Sequence, residues 1–140
     1  MKIVGYNSSY KVLSSCEQSD IGVTSWTNIT PLPIALYVLA MVTLLGKVYV
    51  IGGYQDPTSV RMYDGVSIWT SEAAMSPGRE GHAALALDND RALVCGGNAP
   101  TTVVNTCVIY TASTNTWTTA PAMAQARRNF NLVMSEGMWH

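Results

Sequence analysis

The sequence predicts an all-β chain built from a four-stranded antiparallel unit repeated about three times, and three observations carry that prediction. The apolar run Lys47-Val48-Tyr49-Val50-Ile51 stops on Gly52-Gly53 and recurs as Arg91-Ala92-Leu93-Val94-Cys95 stopping on Gly96-Gly97. Each glycine pair is followed by a tyrosine and then a tryptophan: Tyr63 and Trp69 in one case, Tyr110 and Trp117 in the other. The spacing is regular, with 44 positions from Gly52 to Gly96, 48 from Trp69 to Trp117 and 43 from Trp26 to Trp69. A fixed period of roughly 40 to 50 residues marks a repeat architecture.

Taken in order, residues 1–33 read as an incomplete unit. Residues 2–6 stand where the glycine-terminated strand belongs, with Gly5-Tyr6 in place of the glycine pair. Further strands are predicted at 10–16 and 25–29, before Pro31 and Pro33 enforce a break. Its first strand is missing. Residues 34–76 form a full unit, with strands at 36–45, 47–53, 59–63 and 67–72 and a hairpin turn at Asp64-Gly65. Residues 77–121 repeat the plan, with strands at 82–87, 91–97, 105–110 and 115–119 and a turn at Asp88-Asn89-Asp90. Residues 122–140 begin the pattern again: Arg127-Arg128-Asn129-Phe130 leads into a strand at 131–134, the type of strand that the head lacks.

None of these segments has sustained helical periodicity, and they are rich in β-branched and aromatic residues. The run Val48-Tyr49-Val50-Ile51 is apolar on both faces, as expected of a strand sandwiched between neighbouring sheets. Gly52-Gly53 then removes side chains where another backbone or a bulky ring must come close. The rings of Trp69 and Trp117 are expected to fill that space.

Composition narrows the function. Of 140 residues, 48% are hydrophobic and 12% charged, with a formal net charge of −1. That is enough apolar material for one sizeable core, and the few basic residues are scattered. Nucleic acid and anionic membranes both need clustered Lys or Arg, so neither is an expected partner. The most apolar stretch, residues 34–45, is shorter than the about 20 residues a spanning helix requires and aligns with 82–87 as a strand. Polar residues after Val4 argue against a signal peptide. Cys16, Cys95 and Cys107 show no Cys-x-x-Cys spacing and read as buried reduced thiols, which suits a cytoplasmic protein. Cys95 and Cys107 could still pair if neighbouring strands face them together.

Chemistry-bearing constellations are sparse. His82 and His140 are the two histidines, with no cysteine or carboxylate at metal-ligand spacing, so neither a metal nor a cofactor is expected. Gly52-Gly53 lacks the helix and Lys-Ser/Thr of a phosphate loop. Asp88-Asn89-Asp90 lacks the downstream glycine and glutamate of a calcium loop and reads as a hairpin turn.

An apolar strand ending in Gly-Gly, then a Tyr, then a Trp six or seven positions on, resembles the kelch repeat. The stretch Tyr110-Thr111-Ala112-Ser113-Thr114-Asn115-Thr116-Trp117, followed by Ala122-Met123 and Arg127, is an especially close match. The resemblance implies four-stranded blades of a β-propeller, here an incomplete ring, since propellers close with roughly four to eight blades. Such units cannot bury their apolar faces alone. Either the chain is a fragment of a longer propeller, or a homodimer closes a six-bladed ring, the strand at 131–134 of each copy completing the other's head. The resemblance further implies a non-catalytic protein-binding module. Many kelch proteins present substrates to ubiquitin ligases through an additional BTB or F-box domain, so the chain would be a fragment of such an adaptor. The alternative is a fragment of a propeller enzyme similar to galactose oxidase or a sugar epimerase. In the kelch plan the loops after the second strand and between blades bind partners. Here those loops carry Tyr54, Gln55, Asp56, Asn98, Arg79, Glu80, Arg128 and Asn129, with Arg79 and Arg127 alternatively bracing the turn. By the same resemblance His82 takes a structural role after the inter-blade turn.

Overall fold

The computed structural model describes residues 2–3, 9, 11, 13–135 and 138–139. Among the described residues all regular structure is strand, in three antiparallel sheets and a hairpin near the C-terminus. The first sheet holds β1 (Lys2–Ile3), β2 (Cys16–Ser19) and β3 (Trp26–Ile29). The second holds β4 (Ala40–Leu44), β5 (Lys47–Ile51), β6 (Val60–Tyr63) and β7 (Trp69–Ser71), paired in sequence order. The third, β8 (Ala83–Ala86), β9 (Arg91–Cys95), β10 (Cys107–Thr111) and β11 (Thr116–Ala120), repeats that order. Two consecutive four-stranded sheets of the same topology match the all-β, propeller-like fold class, and no sheet closes into a ring.

Side-chain alternation explains how the sheets stack. On β5, Val48 and Val50 pack towards Cys16, Leu32 and Leu36, while Tyr49 and Ile51 pack towards Ala92, Val94 and Tyr110 of the third sheet. Val50 and Ile51 are both fully buried. Apolarity on both faces thus reflects a strand with a neighbour on each side.

The glycine pairs have a sharper explanation than the sequence offered. A Cβ at Gly52 would lie 2.5 Å from the Arg79 carbonyl oxygen and 2.8 Å from Cε1 of His82. At Gly96 it would lie 2.5 Å from the Arg127 carbonyl oxygen and 2.8 Å from Cε1 of Phe130. Both glycines have positive φ, 59° and 66°. The space is therefore filled by a returning backbone and by His82 or Phe130, not by Trp69 and Trp117. The tryptophans stack instead on Tyr63 and Tyr110, with centroids 5.0 Å apart in each pair. Gly53 N–H donates to Arg79 O at 3.2 Å and Gly97 N–H to Arg127 O at 2.8 Å, so each pair both admits and fastens the next segment.

Turns are held by carboxylates. Asp64 Oδ1 accepts from the amides of Val66, Ser67 and Ile68 at 2.8–3.0 Å, which lowers its pKa. Asp88 does the same for Asp90 and Arg91, and Asp90 accepts from Ser113 N–H at 2.7 Å. The Asp88-Asn89-Asp90 segment is therefore a hairpin turn with its carboxylates engaged.

Several expectations are corrected. The second strand of the first sheet lies at Cys16–Ser19, not at 10–16, because Asp20 caps the amides of Thr24 and Ser25 and sets a hairpin pairing Cys16 with Ile29. Tyr10 and Val12, like Gly5-Tyr6 and His140, lie outside the described residues. Residues 131–133 form no strand; among the described residues β12 (Met134–Ser135) pairs with β13 (Met138–Trp139) alone. Cys95 and Cys107 are not reduced thiols but a disulfide, because β9 and β10 set them directly opposite, with Cα atoms 4.2 Å apart. Cys16 is free and buried. The pairing removes the ground on which a cytoplasmic location was expected. Among the described residues no helix is long and apolar enough to cross a membrane.

Replacing Gly52 or Gly96 with alanine is expected to cost about 3 kcal/mol, combining left-handed strain with a backbone clash. Gly46→Ala, where the space is open, is expected to cost about 1 kcal/mol. Urea unfolding midpoints of the three variants provide the comparison.

Candidate partner-binding cleft

The loops that follow β5 and β9, and those that join successive sheets, emerge at one end of the stack. Backbone hydrogen bonds between units set their spacing. Gly81 N–H donates to Val38 O at 2.9 Å, and Asn129 N–H to Gly81 O at 2.7 Å. All three residues have positive φ, 54–62°, so the same left-handed step is taken where each unit begins. Val38 adopts it despite its branched side chain, held by that ladder.

A cleft of about 300 Å³ opens over these steps, lined by Tyr37, Val38, Tyr54, Glu80, Gly81, Asn98, Arg128 and Asn129. Tyr54 is 55% exposed and leans on Tyr37, with centroids 4.9 Å apart. Its amide donates to Tyr37 O at 3.0 Å. Glu80 and Asn98 exchange backbone hydrogen bonds at 3.2 and 2.8 Å, and Asn98 Nδ2 donates to Glu80 Oε1 at 3.3 Å. The cleft thus combines an aromatic wall, a carboxylate, a guanidinium and amides, a mixture suited to a polypeptide segment.

Five of the residues singled out from sequence, Tyr54, Glu80, Asn98, Arg128 and Asn129, meet in this cleft. Gln55 is exposed but does not line it. Asp56 is engaged by Arg61 at 3.1 Å. Of the two roles the sequence left open for Arg79, the geometry fits bracing: it is fully buried, and Nη1 donates to Gly96 O at 3.1 Å and Thr106 O at 3.0 Å. A guanidinium spent on two backbone carbonyls braces the loops and presents nothing to a partner. Sequence reasoning missed Tyr37 and Val38, which sat inside a run read as strand; a tyrosine in an otherwise aliphatic stretch was the available signal.

Behind the cleft a larger cavity of about 690 Å³ is lined by residues 38–41, 81–84 and 129–133, where the first segments of successive units converge. His82 lies on its wall, 5% exposed. Burial, reinforced by the Arg79 charge, pushes its pKa down to about 4. Among the described residues no group of three or more His, Cys, Asp or Glu side chains is placed to hold a metal ion.

None of the known family models matches the chain. Among curated proteins, an F-box/kelch-repeat protein of Arabidopsis thaliana is 28% identical over 127 residues, covering 82% of this chain and 36% of that protein. The chain thus spans about a third of the length of the relative it matches. Match and fold together fit a kelch-like family. In kelch-like terms, Arg79 and Arg127 occupy equivalent places before successive units, and so do His82 and Phe130.

That equivalence gives a test of His82. Its folded pKa lies below the unfolded value near 6.5, so the unfolded state binds the extra proton and stability falls as pH drops from about 6.5 towards 4. His82→Phe, borrowing the ring found at position 130, is expected to remove a slope worth about 3 kcal/mol across that window. Denaturation of both proteins at pH 7, 6, 5 and 4 measures the difference, which cancels the shared carboxylate titrations.

Proposed function

We propose that the chain is a non-catalytic protein-interaction module of kelch type whose partner seats in the Tyr54 cleft. The observation that carries this reading is the convergence of loops from three successive units on one exposed aromatic anchor. Loops on a rigid β scaffold are where recognition concentrates, and Tyr and Arg are the side chains that most often anchor interfaces. A protein-interaction role agrees with the kelch-repeat relative. We further read residues 34–76 and 77–121 as successive blades, flanked by the incomplete blade 1–33 and the first part of another at 122–140. The finer reading is the recognition segment of a substrate-recruiting adaptor, supported by that relative's designation as an F-box protein.

Quantitative affinity capture compares the unmodified chain, the double variant Tyr54→Ala/Arg128→Ala, and Val66→Ser, whose side chain is exposed in the β6–β7 turn. A partner that loses at least tenfold recovery with the double variant and none with Val66→Ser is the expected result. Partners retained equally by all three would overturn the assignment of the cleft.

A further inference from the structure

Among the described residues no sheet covers one apolar face of the third sheet, and the repeat itself points to what fits there. In the second sheet Tyr49, Ile51, Val60 and Met62 pack against the third sheet. Their counterparts in the third sheet, by strand register, are Leu93, Cys95, Cys107 and Ile109. These four line an open, mostly apolar hollow of about 440 Å³, with Pro121 and Arg127 at its margin. The face that receives a sheet in one unit receives none in the next among the described residues, where only tail residues such as Met123 and Leu132 border it.

Hydrogen bonding repeats in the same way. Trp69 Nε1–H donates to Thr30 O at 2.9 Å, and Trp117 Nε1–H donates to Ala73 O at 2.9 Å. In each case the acceptor lies four residues after the tryptophan of the preceding unit. The next acceptor in this series is the carbonyl of Pro121, four residues after Trp117, and no donor reaches it among the described residues. The next donor is Trp26 at the other end of the stack. It is 48% exposed, and its indole N–H has no acceptor among the described residues.

We infer that the chain binds a second copy of itself head to tail, the first sheet of each copy docking on the open face of the other's third sheet, with Trp26 donating to the Pro121 carbonyl across the contact. The Trp26 donor and the Pro121 acceptor are both carried by this one chain. Cys16 points into the core shared with the second sheet, so Glu17, set opposite Lys2, points outwards from the first, and Arg127 lines the third sheet's open face. Arg127 is also the counterpart of Arg79, which clasps carbonyls of the sheet that follows it. Two copies related by a two-fold axis form this contact twice and close, leaving no free face. The surface is separate from the Tyr54 cleft, so loss of dimerisation and loss of partner capture are distinguishable.

Sedimentation equilibrium of the unmodified chain at 50 µM is expected to give twice the 15.1 kDa chain mass. A single-chain mass would overturn the inference, leaving the face for further blades on a longer chain; a species larger than two copies would overturn closure. Ile109→Asp removes the receiving face and Trp26→Glu the incoming one, so each is expected to be monomeric alone. An equimolar mixture is expected to form a one-to-one dimer through its one intact contact. Failure of that mixture to associate, with both variants folded by circular dichroism, would overturn the head-to-tail arrangement. Trp26→Phe keeps the ring and loses the donor, and is expected to weaken association about fivefold for each of the two contacts.

Discussion

A carbonyl oxygen passing within 2.5 Å of where a side chain would begin is the constraint on which the rest of the structure depends. Gly52 and Gly96 tolerate the Arg79 and Arg127 carbonyls there, and the following glycine in each case donates its amide to the same oxygen. That contact fixes where the chain re-enters after β7 and β11, and hence where the next sheet begins. Gly78 shows the same crowding from the other side, with Pro57 and Thr58 backbone atoms 2.9 Å from its would-be Cβ. Packing against the core then follows from alternation along β5 and β9.

Polar groups in this protein are used to join units more than to decorate the surface. Two tryptophan N–H groups and one buried arginine are directed at backbone carbonyls of neighbouring segments. Asn115 adds a further tie, its Oδ1 accepting from Ala73 N–H and from the Tyr110 hydroxyl, both at 2.8 Å. Such bonds each contribute about 1 kcal/mol net. Their larger effect is directional, since an indole N–H has one vector and one acceptor and so sets the angle between sheets. The sheets are consequently held in a defined step even though only 12% of residues are charged.

Much of the site was legible because loops between regular strands can be counted. Once 47–51 and 91–95 were aligned, Tyr54, Asn98, Glu80 and Arg128 fell in equivalent connections, and the structure brings them to one cleft. Burial was not legible in the same way. Arg79 and Arg128 are both basic residues in inter-sheet loops, yet one is fully buried and the other exposed. Only the position of Gly96 and Thr106, 17 and 27 residues downstream, separates them. Tyr37 entered the cleft unannounced for a related reason: the left-handed step at Val38 ends the extended run two residues before β4.

By itself the sequence determined the period, the strand-glycine-tyrosine-tryptophan order and the two-faced apolarity of β5, because these are local patterns that backbone geometry translates directly. Tertiary structure decided which groups those patterns would meet. It set Cys95 opposite Cys107, gave the glycine pairs an arginine carbonyl in place of an indole, and turned Trp69 and Trp117 towards Thr30 and Ala73. Each of those contacts joins residues 12 to 44 positions apart, and at such separations a partner is chosen by how sheets stack, not by what lies next along the chain.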